Sequence, residues 1–370
     1  MASLSENKPL KICMVNISYG KGGAERTMGL LSDMLTNKGF EVTNVILTDR
    51  IDYKFSGKLY NLGKDKKDPD WPWARFLRFR KLRKFLKAEK FDLIIDHRSR
   101  AFWKKELFYL YYIYAQQNLL YVVHNYMTWN YLTHKRWVGQ KMIDKTLGMI
   151  GVSEAISLKL KKEYPGIDIE TIYNPTEEIQ IQKPENWSLG EDYILFLGRL
   201  DEEVKNIPLL IEAYHFSELY KKEIPLVIMG AGENTQVKSE IKKYELEKHI
   251  QVLPYNAQVG YYLKKAKFLA LSSKFEGFPM VIIEALSVGI PVVSVDCQSG
   301  PKEVIKNEEN GLLVENYNPK ALGNAMRKMY ENKNLYDFCV QNAKTSIAHL
   351  KQEEIAKKWE NYITAVLNRE

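Results

Sequence analysis

Glu276 and Glu284 bracket the stretch Lys-Phe-Glu-Gly-Phe-Pro-Met-Val-Ile-Ile-Glu-Ala-Leu, which begins where the apolar run 268–272 stops and leads into an apolar periodic segment. Gly277 permits a tight turn at positive φ. Pro279 suits a first helical position, where a missing N–H is no loss. The backbone N–H groups of Met280 and Val281 then become unpaired donors at a helix start, which is an anion site. Glu276 falls in the loop before that helix and Glu284 about one and a half turns into it, so both can face one ligand. Acceptors flanking a phosphate cradle suit a molecule with hydroxyls on either side of a phosphate, as in a nucleotide sugar. On an ordinary strand–loop–helix unit the same two glutamates would be solvated surface; it is the rest of the C-terminal half that argues otherwise.

In Leu195-Phe-Leu-Gly-Arg199, Gly198 and Arg199 close a predicted strand, and Lys205 stands just before a helical pattern. A bidentate arginine and a point-charge lysine converging there can neutralise a diphosphate without a metal. The alternative is a pair of surface charges beside residues 201–203. Strand-end glycines recur in Leu226-Val-Ile-Met-Gly-Ala-Gly-Glu233 and in Ser299-Gly-Pro-Lys-Glu303. Near the N-terminus, Ser18-Tyr-Gly-Lys-Gly-Gly-Ala-Glu25 puts Gly22 and Gly23 after the opening strand. Glu25 stands where a dinucleotide fingerprint needs its third glycine, and no Gly-Lys-Ser/Thr follows, so hydride transfer and P-loop chemistry lose their main support. These glycines can still bring N–H groups to an anion, but a plain tight turn explains them equally well. His124 ends the run Leu120-Tyr-Val-Val-His, and His97-Arg98 closes the run 91–96. A histidine at a strand end is more often structural than catalytic when judged alone.

Short apolar runs at 10–16, 41–47, 91–96, 119–124 and 146–152 read as strands, with a helix over 27–38 and Ser153 as the N-cap of another. Residues 177–190, with Pro184 and no periodicity, read as a linker. Strands then restart at 193–197, 226–229, 250–254, 268–272, 291–295 and 311–314, with helices between. The expected fold class is α/β: two doubly wound, Rossmann-like domains facing across a cleft, with parallel sheets covered on both faces. Ligands in such sheets bind outside the carboxyl ends of strands, and every motif above begins there.

At 370 residues the chain exceeds the usual size of a single core, and its 45% hydrophobic and 27% charged residues are ordinary for a globular protein. The opening residues lack the apolar region of a signal peptide, and the longest apolar run, 107–115, is too short to span a bilayer. Cys13, Cys297 and Cys339 fit neither a disulfide framework nor a metal spacing. The expectation is a soluble, cytoplasmic protein. A net charge of +8 calls for an anionic partner. The excess is concentrated at 71–90, where eight basic residues (Arg75, Arg78, Arg80, Lys81, Arg83, Lys84, Lys87, Lys90) face only Glu89. Phe76, Phe79, Leu82 and Leu86 share one side of that helical pattern, with arginines intruding. A solvated helix with one core-facing stripe explains it, and with Trp71 and Trp73 it also suits an anionic membrane surface. No nucleic-acid motif accompanies the charge, so nucleic acid is not expected. Asp68-Pro-Asp70 is the only Asp-x-Asp; it has no strand before it and reads as loop, so no metal is expected.

Gly-Gly-Ala-Glu at 22–25, Gly-Val-Ser-Glu at 151–154, Tyr-Asn-Pro at 173–175, Gly-Arg…Lys-Asn at 198–206, the glutamate pair and Ser-Gly-Pro-Lys-Glu at 299–303 together resemble the retaining GT-B glycosyltransferases of glycosyltransferase family four. That family is rich in enzymes of bacterial surface polysaccharides and glycolipids. The resemblance runs through nearly the whole chain. It implies an acceptor-binding domain at 1–176, the linker 177–190, a nucleotide-sugar-binding domain at 191–350, and a helix at 351–370 returning to the first domain. By the resemblance, Arg199 and Lys205 hold the donor diphosphate and Glu284 accepts from the ribose hydroxyls. Glu276, with the Gly277 and Phe278 N–H groups, holds the donor sugar, and His124 lies near sugar and acceptor. It further implies no cofactor and no metal. The donor would be a UDP-linked hexose or N-acetylhexosamine, and the acceptor a saccharide or lipid-linked saccharide at the inner face of the cell membrane. A sugar-nucleotide epimerase on the same fold, or a non-catalytic sugar-nucleotide-binding subunit, would keep the same nucleotide cradle.

Overall fold

The apolar runs become strands, and every pairing between them among the described residues is parallel. The computed structural model describes residues 8–20, 22–66, 69–185, 187, 189–200 and 202–369, with Glu202 by its backbone only. They form two compact units: one takes the described residues up to Pro175 together with those from Gln352 onward, and the other is Thr176–Lys351.

The first unit holds seven strands: β1 (Lys11–Asn16), β2 (Glu41–Ile46), β3 (Lys58–Asn61), β4 (Leu93–Asp96), β5 (Leu119–Val123), β6 (Gly148–Gly151) and β7 (Ile169–Thr171). Their order in the sheet is β3-β2-β1-β4-β5-β6-β7. The inner strands β4, β5 and β6 are buried along their whole length, as a parallel sheet covered by helices requires. The two edge strands are absent from the sequence reading. Lys-Leu-Tyr-Asn and Ile-Glu-Thr are short and half exposed, so they lack the apolar continuity that marks an inner strand. The helix expected over 27–38 is Gly23–Asn37, starting from Gly22 as N-cap. A side chain on Gly22 would collide with the Glu25 carboxylate, so a protein carboxylate already lies against this helix start. Ser153 caps the helix Glu154–Glu163, its hydroxyl accepting from the Ile156 N–H at 3.3 Å. The final helix Gln352–Leu367 belongs to this unit, buries Ile355, Trp359, Ile363 and Val366, and places the Tyr362 hydroxyl 3.3 Å from the Met149 carbonyl.

The second unit holds β8 (Tyr193–Leu197), β9 (Leu226–Gly230), β10 (Ile250–Pro254), β11 (Ala266–Leu271), β12 (Val292–Asp296) and β13 (Gly311–Glu315), in the order β10-β9-β8-β11-β12-β13. Between β7 and β8 the described residues contain no helix or strand. That segment is tied down by Trp187, which packs 4.8 Å from Tyr261 and 5.2 Å from Tyr262. Each sheet reverses its winding once, between β1 and β4 in the first unit and between β8 and β11 in the second. Loops diverge at such a point and leave a crevice outside the strand ends, where ligands of doubly wound sheets bind.

Candidate functional site

In the second unit the reversal point gathers most of the residues singled out from the sequence. Lys205 ends the short helix Glu202–Lys205 after β8, and Glu276 lies in the loop after β11. The Lys205 Nζ donates to Glu276 Oε1 at 2.5 Å, with side chains only 13% and 11% exposed. The Ser273 hydroxyl donates to the same oxygen at 2.6 Å. The two loops are also joined by backbone, since the Ser272 hydroxyl donates to the Lys205 carbonyl and the Lys274 N–H to the Val204 carbonyl. The lysine is therefore anchored at both ends, and its charge sits at a fixed place outside the strand ends. Arg199 is exposed directly after Gly198.

The helix following Glu276 is Met280–Ser287, with Pro279 as N-cap rather than first helical residue and with no side chain capping it. Its first N–H groups, Met280 and Val281, thus keep the character of an anion site. Gly300, at φ 98°, lies against the Pro279 ring, where any side chain would clash, and the Ser299 hydroxyl donates to the Gly277 carbonyl at 2.7 Å. The Ser-Gly-Pro-Lys loop after β12 therefore buttresses the turn at Gly277 and Phe278. Glu284 is buried on this helix. Burial and then the Glu276 charge hold the neighbouring Cys297 thiol un-ionised. A cavity of about 920 Å³ is lined by Leu200, Asn206, Glu233 and Lys274 among others.

The first unit presents a different chemistry at its reversal point. Gly22 and Gly23 sit there at the helix start and belong to the first unit. His97-Arg-Ser-Arg100 follows β4, whose last residue is Asp96, and Asp96, His97, Arg98 and Arg100 are all buried. Arg98 donates to both oxygens of Asp96 and, at 3.1 Å, to Glu106. Arg100 donates to three carbonyls, Asp96 at 2.8 Å, Val122 at 3.0 Å and Tyr131 at 3.0 Å, and so ties together the ends of β4 and β5 and the helix Trp129–Leu132. Burial opposes ionisation of Asp96, but Arg98 and Arg100 outweigh it and hold its carboxyl below the ordinary range. This network has one trace in the sequence, a run of charges that closes and follows an otherwise apolar strand. His97 Nδ1 and His124 Nε2 are 3.0 Å apart. Burial, reinforced by Arg100, pushes His97 down to about 3; burial, His97 and Arg100 push His124 well below its ordinary value.

The basic segment forms the helix Pro72–Glu89. Two carboxylates outside 71–90 reduce its free charge. Asp70 accepts from Arg75 and Arg78, and Asp65 accepts from Lys81. Arg78, followed by Arg75, holds the Asp70 carboxyl down at about 2. Asp70 is thus committed to arginines, and Asp68 lies outside the described residues. Leu82 and Leu86 are buried, whereas Trp71 and Trp73 are 67% and 69% exposed. Phe76, expected on the buried side, is exposed at its edge and stacks on Tyr112. No helix of the described residues is long and apolar enough to cross a membrane.

Comparison with known proteins places both halves. A model described as Glycosyltransferase Family 4 matches residues 21–178, and one described as Glycosyl transferases group 1 matches residues 177–346. The chain is 27% identical to the N-acetylgalactosamine-N,N'-diacetylbacillosaminyl-diphospho-undecaprenol 4-alpha-N-acetylgalactosaminyltransferase of Campylobacter jejuni, covering 94% of this chain and 97% of that protein. It is 34% identical to the lipopolysaccharide 1,6-galactosyltransferase of Salmonella typhimurium over 42% of this chain and 43% of that one. Among solved structures, Anabaena HepE in complex with UDP and glucose superposes with a TM-score of 0.76 at 16% identity, covering 96% of this chain and all of that one (100%). TarM of S. aureus, in complex with fondaparinux, alpha-GlcNAc-glycerol and UDP, gives 0.75 at 16% identity, with 96% and 99% covered. At these identities the structures establish the fold.

Proposed function

The chain belongs to the family-four, group 1 glycosyltransferases with the GT-B fold, and from that premise we propose that it moves a hexose or N-acetylhexosamine from a UDP-sugar to a lipid-linked or polysaccharide saccharide, with retention and without a metal. The observation that carries this reading is the Lys205–Glu276 pair, fixed at the reversal point of the second sheet between an exposed arginine and an uncapped helix start. Breaking a glycosyl–phosphate bond builds negative charge on the leaving diphosphate and positive charge at the anomeric carbon. Lys205, Arg199 and the Met280 and Val281 N–H groups supply preorganised positive potential for the diphosphate. Glu276, held by Lys205 and Ser273, offers an acceptor for the sugar hydroxyls, and Glu284 one for the ribose. Because the leaving phosphate can itself assist same-face attack, neither glutamate needs to become a covalent nucleophile. The UDP donor is supported by the nucleotide in the HepE and TarM complexes. The lipid-linked acceptor is supported by the undecaprenol-linked substrate in the name of the Campylobacter relative.

The helix Pro72–Glu89 gives that acceptor a place to be met. Trp73, Leu77, Arg80, Lys84 and Lys87 recur at helical spacing along one side, and all are exposed. Aromatic and aliphatic groups thus lead into basic ones on a single stripe, opposite buried Leu82 and Leu86.

The test is a panel of nucleotide sugars scored for thermal stabilisation, followed by turnover on a polyprenyl-diphosphate-linked saccharide. Stabilisation by UDP-sugars and transfer of the sugar are expected. Conversion of the donor to an epimer without acceptor, or binding without turnover on any acceptor, would displace this reading.

A further inference from the structure

His97 follows β4 directly as His124 follows the neighbouring β5, and it is buried to 2% exposure with no role in the chemistry above. The 3.0 Å contact between its Nδ1 and His124 Nε2 has room for one proton. One ring must therefore donate and the other accept, and the two cannot both be imidazolium. The remaining nitrogens, His97 Nε2 and His124 Nδ1, are buried and have no partner. An unpaired N–H is harder to tolerate than an unpaired acceptor. Arg100 acts on both rings and both of these nitrogens are buried, but His124 belongs to a residue that is partly exposed whereas His97 is enclosed. The N–H without a partner therefore belongs on His124 Nδ1, which leaves His97 Nε2 bare and makes His97 Nδ1 the donor in the shared contact.

We propose that His97 is a positioning residue that holds His124 as a neutral imidazole, oriented by a hydrogen bond into its Nε2 and protonated on Nδ1. This rests on the reading of His124 as a group beside the transferred sugar. There the neutral state has a purpose, because the anomeric carbon gains positive charge on the way to the transition state and an imidazolium beside it would oppose that. Arg100 acts on the pair directly, and Tyr131 and Glu25 lie around it. Arg100, from the loop after β4, disfavours protonation of both rings. Tyr131, on the helix Trp129–Leu132, packs its ring 6.2 Å from His124. Glu25, on the helix Gly23–Asn37, places its charge near Tyr131, whose phenol burial pushes up to about 12.

The experiment has two readouts. Nitrogen-15 correlation spectra of the full-length protein, with no ligand added, report which nitrogen of each ring carries the proton. His124 should show Nδ1–H and bare Nε2 in the wild type. The same pattern is expected in His97→Asn, because an amide N–H can donate where the imidazole Nδ1–H did. In His97→Leu the constraint is gone, and His124 Nε2 should gain protonation. The second readout is transfer activity against pH. His97→Leu should lose about 10- to 100-fold in kcat with little change in donor KM, and a new acid limb should enter near pH 6, as expected for a freed histidine. His97→Asn should recover to within about threefold and lack that limb. A wild-type His124 protonated on Nε2, or equal losses and identical pH profiles in the two variants, overturns the proposal. If the leucine variant does not fold, the wild-type and asparagine spectra still decide. If no nucleotide sugar is turned over, the transferase reading falls while the spectra still judge the pair.

Discussion

At the scale of single residues, the site depends on charges held in place before any ligand arrives. Lys205 donates to Glu276 and its carbonyl is held by Ser272, so on the proposed reading its ammonium would meet the diphosphate without a search through rotamers. Lys205→Ala should lower kcat/KM by about 10²–10³, the scale expected for one preorganised group acting mainly on the transition state. A loss of less than tenfold would remove Lys205 from the diphosphate. If protein cations supply the positive charge as proposed, saturating EDTA should leave turnover largely intact. Complete loss that Mn²⁺ restores would contradict this. The histidine pair makes a separate prediction about stability. Both rings have folded pKa values below the ordinary imidazole value, so the unfolded chain binds more protons once pH drops under about 6.5. The contribution is whole above that pH and is lost on acidification, at up to about 1.4 kcal/mol per pH unit for each ring. Urea unfolding between pH 6.5 and 5, above the range of most carboxylates, should show a shallower fall for His97→Asn than for the wild type. Equal slopes would mean that the pair is not held neutral.

At the scale of elements, legibility followed local pattern. The inner strands β5 and β8, and β4 as far as Ile95, are uninterrupted apolar runs, and the sequence betrays them because burial on both faces leaves no alternation to read. The turn from Glu276 into Met280–Ser287 was legible too, since glycine, proline and the apolar period all act within a few residues. What stayed hidden depends on distant partners. Arg100 clamps carbonyls that lie up to 31 positions away, and Asp70 and Asp65 neutralise arginines and a lysine of the basic helix from outside it. Those pairs alter the expectation for membrane contact. Of the eight basic residues, Arg75, Arg78 and Lys81 are engaged by aspartates and Arg83 stacks on Tyr112. Arg80, Lys84, Lys87 and Lys90 remain exposed. At about 1 kcal/mol each near an anionic leaflet they give a usable footing, with Trp73 and Leu77 adding burial. The protein should sediment with anionic vesicles at low salt and less at high salt, and Arg80→Glu with Lys84→Glu should abolish it. Equal binding to neutral and anionic vesicles, or none to either, would return the helix to an ordinary basic surface.

At the scale of the whole molecule, the first unit is discontinuous in sequence: its sheet is complete by Thr171, yet its last helix, Gln352–Leu367, follows the entire second unit. That helix is amphipathic, with Ile355, Trp359, Tyr362, Ile363 and Val366 buried and lysines and glutamates on its other side. It packs on Gly23–Asn37 and reaches the sheet through Tyr362, whose hydroxyl leaves no room for a side chain at Gly148. Burying a large apolar side chain contributes about 1.5–3 kcal/mol. Five of them amount to the order of 10 kcal/mol, as much as a typical domain's entire margin of about 5–15 kcal/mol. Ending the chain at Lys351 should therefore abolish cooperative melting of the first unit. The second unit contains all of Thr176–Lys351 and its own core, so it should still melt as one transition and still be shifted upward by UDP. Calorimetry with and without UDP separates the two effects. A first-unit transition that survives the truncation would show that the helix contributes far less than its burial implies, and loss of the UDP shift would show that the nucleotide site is not built by the second unit alone.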